Sequence, residues 1–192
     1  MRFTLPYVVL LAGLLAGCGG ASAVKPVEVL DENSGMTLGL LKEPIELLPS
    51  GRNPVQVLGK RTTFAYLGPV EWNRSGVFSY GLWIHVAPGN DRQVGDIHAD
   101  GALTVLLDEG PLVLTPIEPP QPAARDPYRQ AVSWGQTAYF DLNVETLRRM
   151  AASSKLELDL RGTDGKALSF LPTVDTRAVL TEYVKSRGVT AD

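Results

Sequence analysis

Alternation of apolar and polar residues is the feature that most limits what this chain can fold into. In LELDLR, residues 156–161, every second residue is a leucine and the residues between them are charged. In VFSYGLWIHVA, residues 77–87, one set of alternate residues is entirely apolar or aromatic. Because the side chains of a strand point to opposite faces in turn, this spacing predicts strands with at least one buried face.

Turn signals between the apolar runs favour antiparallel pairing. Asp108-Glu109-Gly110 separates two such runs, and Asp164-Gly165 separates 156–161 from 167–171. A parallel sheet would need a helix between successive strands, and the spacing is too short for one. We therefore predict a mostly β protein, an antiparallel β-sandwich, with one domain over residues 27–192. Further strands are expected at 36–42, 55–58, 61–67, 102–107 and 111–117, and a further core face at Val132, Trp134, Ala138, Phe140 and Leu142.

Two helices are expected beside the strands. Asn143 is a suitable N-cap for a short helix at 144–152. Asp175 is a suitable cap for a C-terminal helix at 176–187, and Gly188 suits its left-handed end. This second helix has an apolar stripe and a polar face that is formed by Glu182, Lys185 and Arg187. We expect it to pack on the sandwich, and the alternative is an amphipathic helix that lies on a membrane.

The first seventeen residues are typical of a signal peptide. Arg2 supplies a positive charge, and residues 3–17 carry no charge. This uncharged run is about 15 residues long, whereas a helix that crosses a bilayer needs roughly 20. It ends in Leu15-Ala16-Gly17-Cys18, where small residues precede the one cysteine of the chain.

That tetrapeptide resembles the lipobox of bacterial lipoproteins. The resemblance implies that 1–17 are removed, that Cys18 carries the acyl chains, and that 18–26 tether the domain to the membrane. Cys18 would then be available for neither a disulfide nor nucleophilic catalysis. Gly19 follows the cysteine where an Asp commonly retains such proteins at the inner membrane, which implies the outer membrane, facing the periplasm. An incidental buried thiol is the alternative for Cys18.

Charge argues against nucleic acid as a partner. The chain has 18 basic and 21 acidic residues, so removal of Arg2 with the signal peptide leaves 17 basic residues against the same 21. The basic residues are scattered, whereas nucleic-acid-binding proteins usually present a basic patch.

The segment PGNDRQVGDIHADG, residues 88–101, is the one candidate for a metal site. Asp96, His98 and Asp100 alternate, and Asp91 lies just before them. The spacing matches neither a zinc site nor an EF-hand loop, and glycine and aspartate are ordinary turn residues. We therefore predict no cofactor and no metal. Catalytic motifs such as a nucleophile elbow or a phosphate loop are also missing from the sequence.

Aromatic side chains provide the candidate binding residues. Trp83 and His85 lie on the less apolar face of the 77–87 strand, and a turn at 73–76 would bring Trp72 close to the start of that strand. We list Trp72, Trp83 and His85 as binding residues. The alternative is that a loop or the C-terminal helix covers Trp83. The proline-rich stretch PIEPPQPAARDPY, residues 116–128, is predicted to be an exposed loop, and partner binding through its PxxP matches is a further alternative.

The order of elements from 131 to 187 also resembles the C-terminal half of small envelope β-sandwich proteins of bacteria. Together with the lipobox, it leads us to expect a lipid-anchored, non-enzymatic binding or accessory subunit of an envelope assembly. The alternative function is an envelope enzyme or metal-binding protein that uses residues 91–100. Partners would be the membrane, through the lipid on Cys18, and an envelope protein.

Overall fold

The computed structural model describes residues 24–50, 63–87, 101–120, 126–161 and 167–188. Eleven strands and two helices lie in these ranges. The strands are β1 (Pro26–Asp31), β2 (Met36–Leu41), β3 (Ile45–Pro49), β4 (Phe64–Arg74), β5 (Val77–Ala87), β6 (Leu103–Leu107), β7 (Gly110–Leu114), β8 (Pro116–Ile117), β9 (Gln136–Asp141), β10 (Glu157–Arg161) and β11 (Ala167–Pro172). The helices are α1 (Val144–Ala152) and α2 (Thr176–Ser186).

The strands form one antiparallel sheet that is nearly closed into a barrel, which confirms the predicted mostly β fold with two short helices. Its main path runs β7-β6-β10-β11-β3-β4-β5-β9-β8, and β2 adds to β4 with β1 beyond it. The two ends of the path, β7 and β8, are separated only by Thr115, whose carbonyl accepts a hydrogen bond from the Asp141 amide at 2.8 Å. One bent segment therefore links the two ends of the sheet.

The two faces of this sheet have different covers. Side chains of alternate residues lie on opposite faces, and directly paired residues of neighbouring strands share a face. We call one side the helix face, since α2 packs there: the Tyr183 hydroxyl donates to the Gly39 carbonyl at 2.9 Å, and a Cβ at Gly39 would meet Arg187. The central side chains of the helix face are apolar and buried. Its members include Ile45, Leu47, Ala65, Leu67, Leu82, Ile84, Val86, Leu103, Val105, Phe140, Leu158, Leu160 and Phe170.

The opposite side is the strap face, named for the segment 126–130 that lies on part of it. A Cβ at Gly68 would be 2.3 Å from the Tyr128 ring, so this face of β4 lies directly beneath the segment. Gly68 pairs with Trp83, and the Trp83 and Tyr128 rings lie 5.0 Å apart between centroids. Residues 126–130 form this strap.

Both helix N-caps predicted from the sequence are confirmed. The Asn143 side chain accepts a hydrogen bond from the Thr146 amide at 2.7 Å, and Asp175 accepts from the Ala178 amide at 3.2 Å. Gly188 has a φ of +67°, as expected for a glycine that ends a helix. The prediction for Arg187 was wrong. It was assigned to the polar face, but its side chain is 5% exposed because it reaches over Gly39 toward two carboxylates.

Several strand limits also differ from the predictions. The predicted tether 18–26 overlaps β1, and Val24 packs against the core. The predicted strand at 111–117 is broken at Thr115, and β4 extends seven residues beyond 67 to match the full length of β5. The β3 strand was not predicted. The predicted strand 55–58 and the turn at 164–165 lie outside the described residues.

The core face predicted for residues 132–142 is partly wrong. Trp134 is 69% exposed, and β9 begins only at Gln136. The Gly135 amide donates to the Val132 carbonyl at 3.3 Å, so residues 132–135 form a turn before the strand. A side chain at Gly135 would collide with the His85 ring, which explains why a glycine ends this turn.

Candidate functional site

The three aromatic candidates from the sequence come together on the strap face. Trp72 pairs with Ser79, as predicted from the turn at 73–76, and its ring lies over Gly81, where a Cβ would be 2.6 Å away. Trp83 and His85 stack, with ring centroids 5.7 Å apart and planes 12° apart. All three residues are buried.

Tyr128 of the strap covers Trp83 in this aromatic layer. The prediction of an exposed loop at 116–128 is wrong at this residue, because the Tyr128 side chain is buried against Trp83 and Gly68. Pro116 and Ile117 of the proline-rich stretch form a short strand instead of a loop, since they pair with β9. A glycine in the middle of a strand often marks a close approach by another group, and Gly68 was the one sequence signal for this contact.

The Tyr128 hydroxyl bridges two backbone groups where the sheet divides. It accepts a hydrogen bond from the Leu41 amide at 3.0 Å and donates one to the Pro69 carbonyl at 2.7 Å. β4 pairs with β2 through Glu71 and with β3 through Leu67, so Pro69 lies between the two ladders. Tyr128 thus bonds the Leu41 amide and the Pro69 carbonyl at the point where β4 passes from its pairing with β3 to its pairing with β2. Burial raises the pKa of this hydroxyl, which therefore stays protonated and able to donate.

Asp126 anchors the start of the strap. Its carboxylate accepts a hydrogen bond from the Tyr139 hydroxyl at 3.0 Å and another from the Gln130 side-chain amide at 2.5 Å. Burial raises the pKa of Tyr139, and the negative charge of Asp126 raises it further. The strap is therefore held at Asp126 from β9 and at Tyr128 from β2 and β4.

His85 is buried beneath Gly135, in the turn that precedes β9. Its Nδ1 is 3.0 Å from the Thr137 hydroxyl, and its Nε2 makes no hydrogen bond of ordinary geometry with the described residues. Burial lowers the pKa of His85, while the charge of Asp126 and the Val132 carbonyl oppose that change. The Trp83 indole nitrogen also makes no hydrogen bond within the described part of the chain.

These positions limit the predicted binding role of Trp72, Trp83 and His85. A partner at the surface cannot touch them in this structure, since all three side chains are buried. The covering of Trp83 matches the alternative in which a loop lies over it, and the loop is the strap rather than α2. Trp83 is therefore the platform on which the Tyr128 ring packs, and His85 stacks on Trp83.

A groove runs beside the strap. It has a volume of about 490 Å³ and lies between the strap and the strands β1 and β2. Its floor is apolar, formed by Val29, Leu38 and Leu40, and its other wall is the strap itself. The rim carries Asp126 and Arg129, which are exposed.

A charged cluster at the C-terminal end of α2 was not predicted from the sequence. The Arg187 guanidinium lies 2.9 Å from Glu28 and 3.7 Å from Glu71, and it stacks on the Tyr183 ring at 5.7 Å. Glu71 is buried, so the nearby guanidinium offsets the cost of its charge. The cluster fastens α2 to β1 and β4, which is a structural role.

The remaining sequence candidates fall outside the described residues. These are Cys18 and the possible metal ligands Asp91, Asp96, His98 and Asp100. Among the residues that the structure does describe, there is no group of three His, Cys, Asp or Glu side chains placed to hold a metal ion. Neither of the described helices is long and apolar enough to span a bilayer.

Comparison with known proteins adds no family: no protein-family model, curated protein or solved structure matches this chain.

Proposed function

We propose that this protein is a lipid-anchored envelope lipoprotein that acts as a non-enzymatic binding or accessory subunit. The lipobox residues Leu15 to Cys18 support the anchor. Cys18 lies eight residues before Pro26, the first residue of β1, so the sheet would begin within about 28 Å of the acylated residue. By the same resemblance, Gly19 favours the outer membrane, facing the periplasm.

The observation that carries the binding role is the tip of the β4–β5 hairpin, which we define as Val77 and Phe78. These side chains are 73% and 53% exposed, and no described strand pairs with this part of β5 except β4. β2 pairs Thr37 with Asn73 and Leu41 with Pro26, so the tip lies at the end of the sheet away from Pro26. Apolar side chains that project from a sheet into water are a candidate contact for a partner protein.

The anchor is tested by Cys18→Ser. Lipid transfer requires the thiol, so this variant should accumulate as an unprocessed precursor that still begins at Met1. Mass spectrometry of the wild-type chain should show the acyl groups on Cys18. A Cys18→Ser variant that is processed normally and stays in the membrane after a carbonate wash would contradict the anchor.

The binding role is tested by cross-linking in native membranes. The double variant Val77→Thr and Phe78→Thr keeps β-forming residues while it removes the apolar tip, and we expect it to lose the cross-linked partner. Val113→Thr on β7 is the matched control, since Val113 is 60% exposed on a different strand. A partner that is captured equally by the wild type, the double variant and Val113→Thr would contradict a role for the tip.

A further inference from the structure

The outer edge of β1 offers hydrogen-bonding groups to another strand. β1 pairs with β2 over six residues in unbroken register, and no other described strand pairs with it. Its exposed residues include two apolar ones, Val29 and Leu30, where edge strands of monomeric proteins usually carry charges, bulges or interior prolines. Pro26 is only at the first position of this strand. This edge is therefore poorly protected against pairing.

The ladder between β1 and β2 shows which residues point outward. The Lys42 amide donates to the Lys25 carbonyl at 2.6 Å, so Lys25 and Lys42 are a hydrogen-bonded pair. Because such pairs alternate in antiparallel strands, Val27 and Val29 direct their backbone groups toward β2. The backbone N–H and C=O of Glu28 and Leu30 then point away from the sheet. Pro26 fits this pattern, since its position needs no N–H.

A second copy of β1 can satisfy these groups in one register. An antiparallel pair centred on Glu28 would place two Glu28 side chains opposite each other, which is unfavourable. A pair centred on Leu30 would oppose Glu28 and Glu32. A pair centred on Val29 places Glu28 of each copy opposite Leu30 of the other. Each of these two pairs exchanges two backbone hydrogen bonds, which makes four in all.

The apolar side chains of β1 also suit the register centred on Val29. The two Val29 side chains meet on the strap face, beside the apolar floor of each groove. Leu30 lies opposite a Glu28 carboxylate that is already paired with Arg187 of its own copy.

Neither cover of the sheet blocks this approach. α2 packs over Gly39 of β2, one strand inward from β1, and Arg187 at its end reaches back to the Glu28 side chain of β1 on the helix face. With strands about 4.8 Å apart, the two α2 helices of a dimer would stand on the order of 14 Å apart or more, wider than the 8–10 Å of packed helices. Tyr128 lies farther in still, between β2 and β4.

We propose that two copies of this protein pair antiparallel through β1, about a twofold axis at Val29. Five residues of each β1, 27–31, pair in this register and make a small contact, so the dimer is weak in free solution. Anchoring both copies to one membrane raises their effective concentration, and in this respect the dimer rests on the proposed function. The occupant of the β1 edge is thus a second copy of the same chain.

Engineered disulfides in native membranes test the register. The two Val29 residues would be a non-hydrogen-bonded pair with Cα atoms about 4.5 Å apart, within the range that a disulfide can bridge. Full-length Val29→Cys should therefore form a disulfide-linked dimer on mild oxidation. Leu30→Cys is the matched control, because its two copies are offset by two residues and point to the helix face. We expect at least about tenfold less dimer from Leu30→Cys.

A second variant tests the backbone bonds. Leu30→Pro, added to Val29→Cys, removes an outward N–H without touching the ladder to β2, and it should abolish most of the cross-linking. Leu30→Ala in the same background keeps the N–H and should cross-link nearly as well as Val29→Cys alone. Equal cross-linking by Val29→Cys and Leu30→Cys, no dimer at all, or a disulfide to a different protein would overturn the proposal.

The wild-type chain separates this result from the proposed function. If Cys18 is acylated, the wild type has no free thiol and stays monomeric on the oxidised gel. A wild-type disulfide dimer, or a chain found outside the membrane fraction, would contradict the anchor. The β1 register would still be tested by comparing the amount of dimer from Val29→Cys with that from Leu30→Cys.

Discussion

The helix face and the strap face of the same strands are built in different ways. On the helix face, most of the buried side chains are aliphatic, and they come from most strands of the sheet and from both helices. On the strap face, a layer of aromatic rings is covered at Trp83 by one five-residue segment that is held through Tyr128 and Asp126. That layer also leaves the Trp83 indole nitrogen without a hydrogen bond to any described residue.

The difference shows how stability is distributed in the molecule. A core of many aliphatic contacts is lost only when the whole sheet unfolds, whereas a short segment with few anchors can open alone. We therefore expect the helix face to set global stability and the strap to open locally. Three changes test this contrast, in decreasing order of expected effect.

The largest effect is expected from a charge placed in the helix-face core. Leu180 of α2 is fully buried, so Leu180→Asp should lower the free energy of unfolding by about 2–4 kcal/mol, because packing is lost and a carboxylate is desolvated. Thermal melts of the purified chain would measure it, with Lys185→Asp, an exposed position on the same helix, as control. An unchanged melting temperature for Leu180→Asp would mean that α2 does not contribute to the core.

A smaller effect is expected from the strap. Tyr128→Phe keeps the ring against Trp83 but removes the hydroxyl, so the Leu41 amide and the Pro69 carbonyl lose their partner. The free energy of unfolding should fall by about 1–3 kcal/mol, and less if water reaches the two groups. Tyr139→Phe removes a hydroxyl whose partner among the described residues is the exposed Asp126, and it should cost less. Equal losses for the two variants would contradict the bridging role of Tyr128.

The smallest effect is the pH dependence due to His85. Burial lowers the pKa of His85 in the folded chain, so the unfolded chain binds a proton first as the pH falls. Stability should therefore be full above the ordinary histidine pKa of about 6.5 and decline below it until the folded pKa is reached. His85→Gln should flatten this part of the stability curve. The nearby charged group is Asp126, and an unchanged slope in His85→Gln would assign the effect to carboxylates instead.

The two faces also differ in how far the sequence could predict them. β5 and α1 were predicted with their observed limits, since an uninterrupted alternation and a capping asparagine are local signals. Tyr128 was placed in an exposed loop because its partners, Leu41 and Pro69, are 87 and 59 residues away. Arg187 was assigned to solvent for the same reason: Gly39, Glu28 and Glu71 make room for it and pair with it, and none of them is close in sequence.

Amide hydrogen exchange at Leu41 tests most directly whether the strap opens on its own. The Leu41 N–H is bonded to the Tyr128 hydroxyl, so it should exchange with solvent whenever the strap lifts. We predict a lower opening free energy at Leu41 than at the middle of α2, and a further decrease at Leu41 alone in Tyr128→Phe. If Leu41 and the middle of α2 show the same opening free energy, equal to that of global unfolding, the strap is part of the core and the contrast between the two faces is wrong.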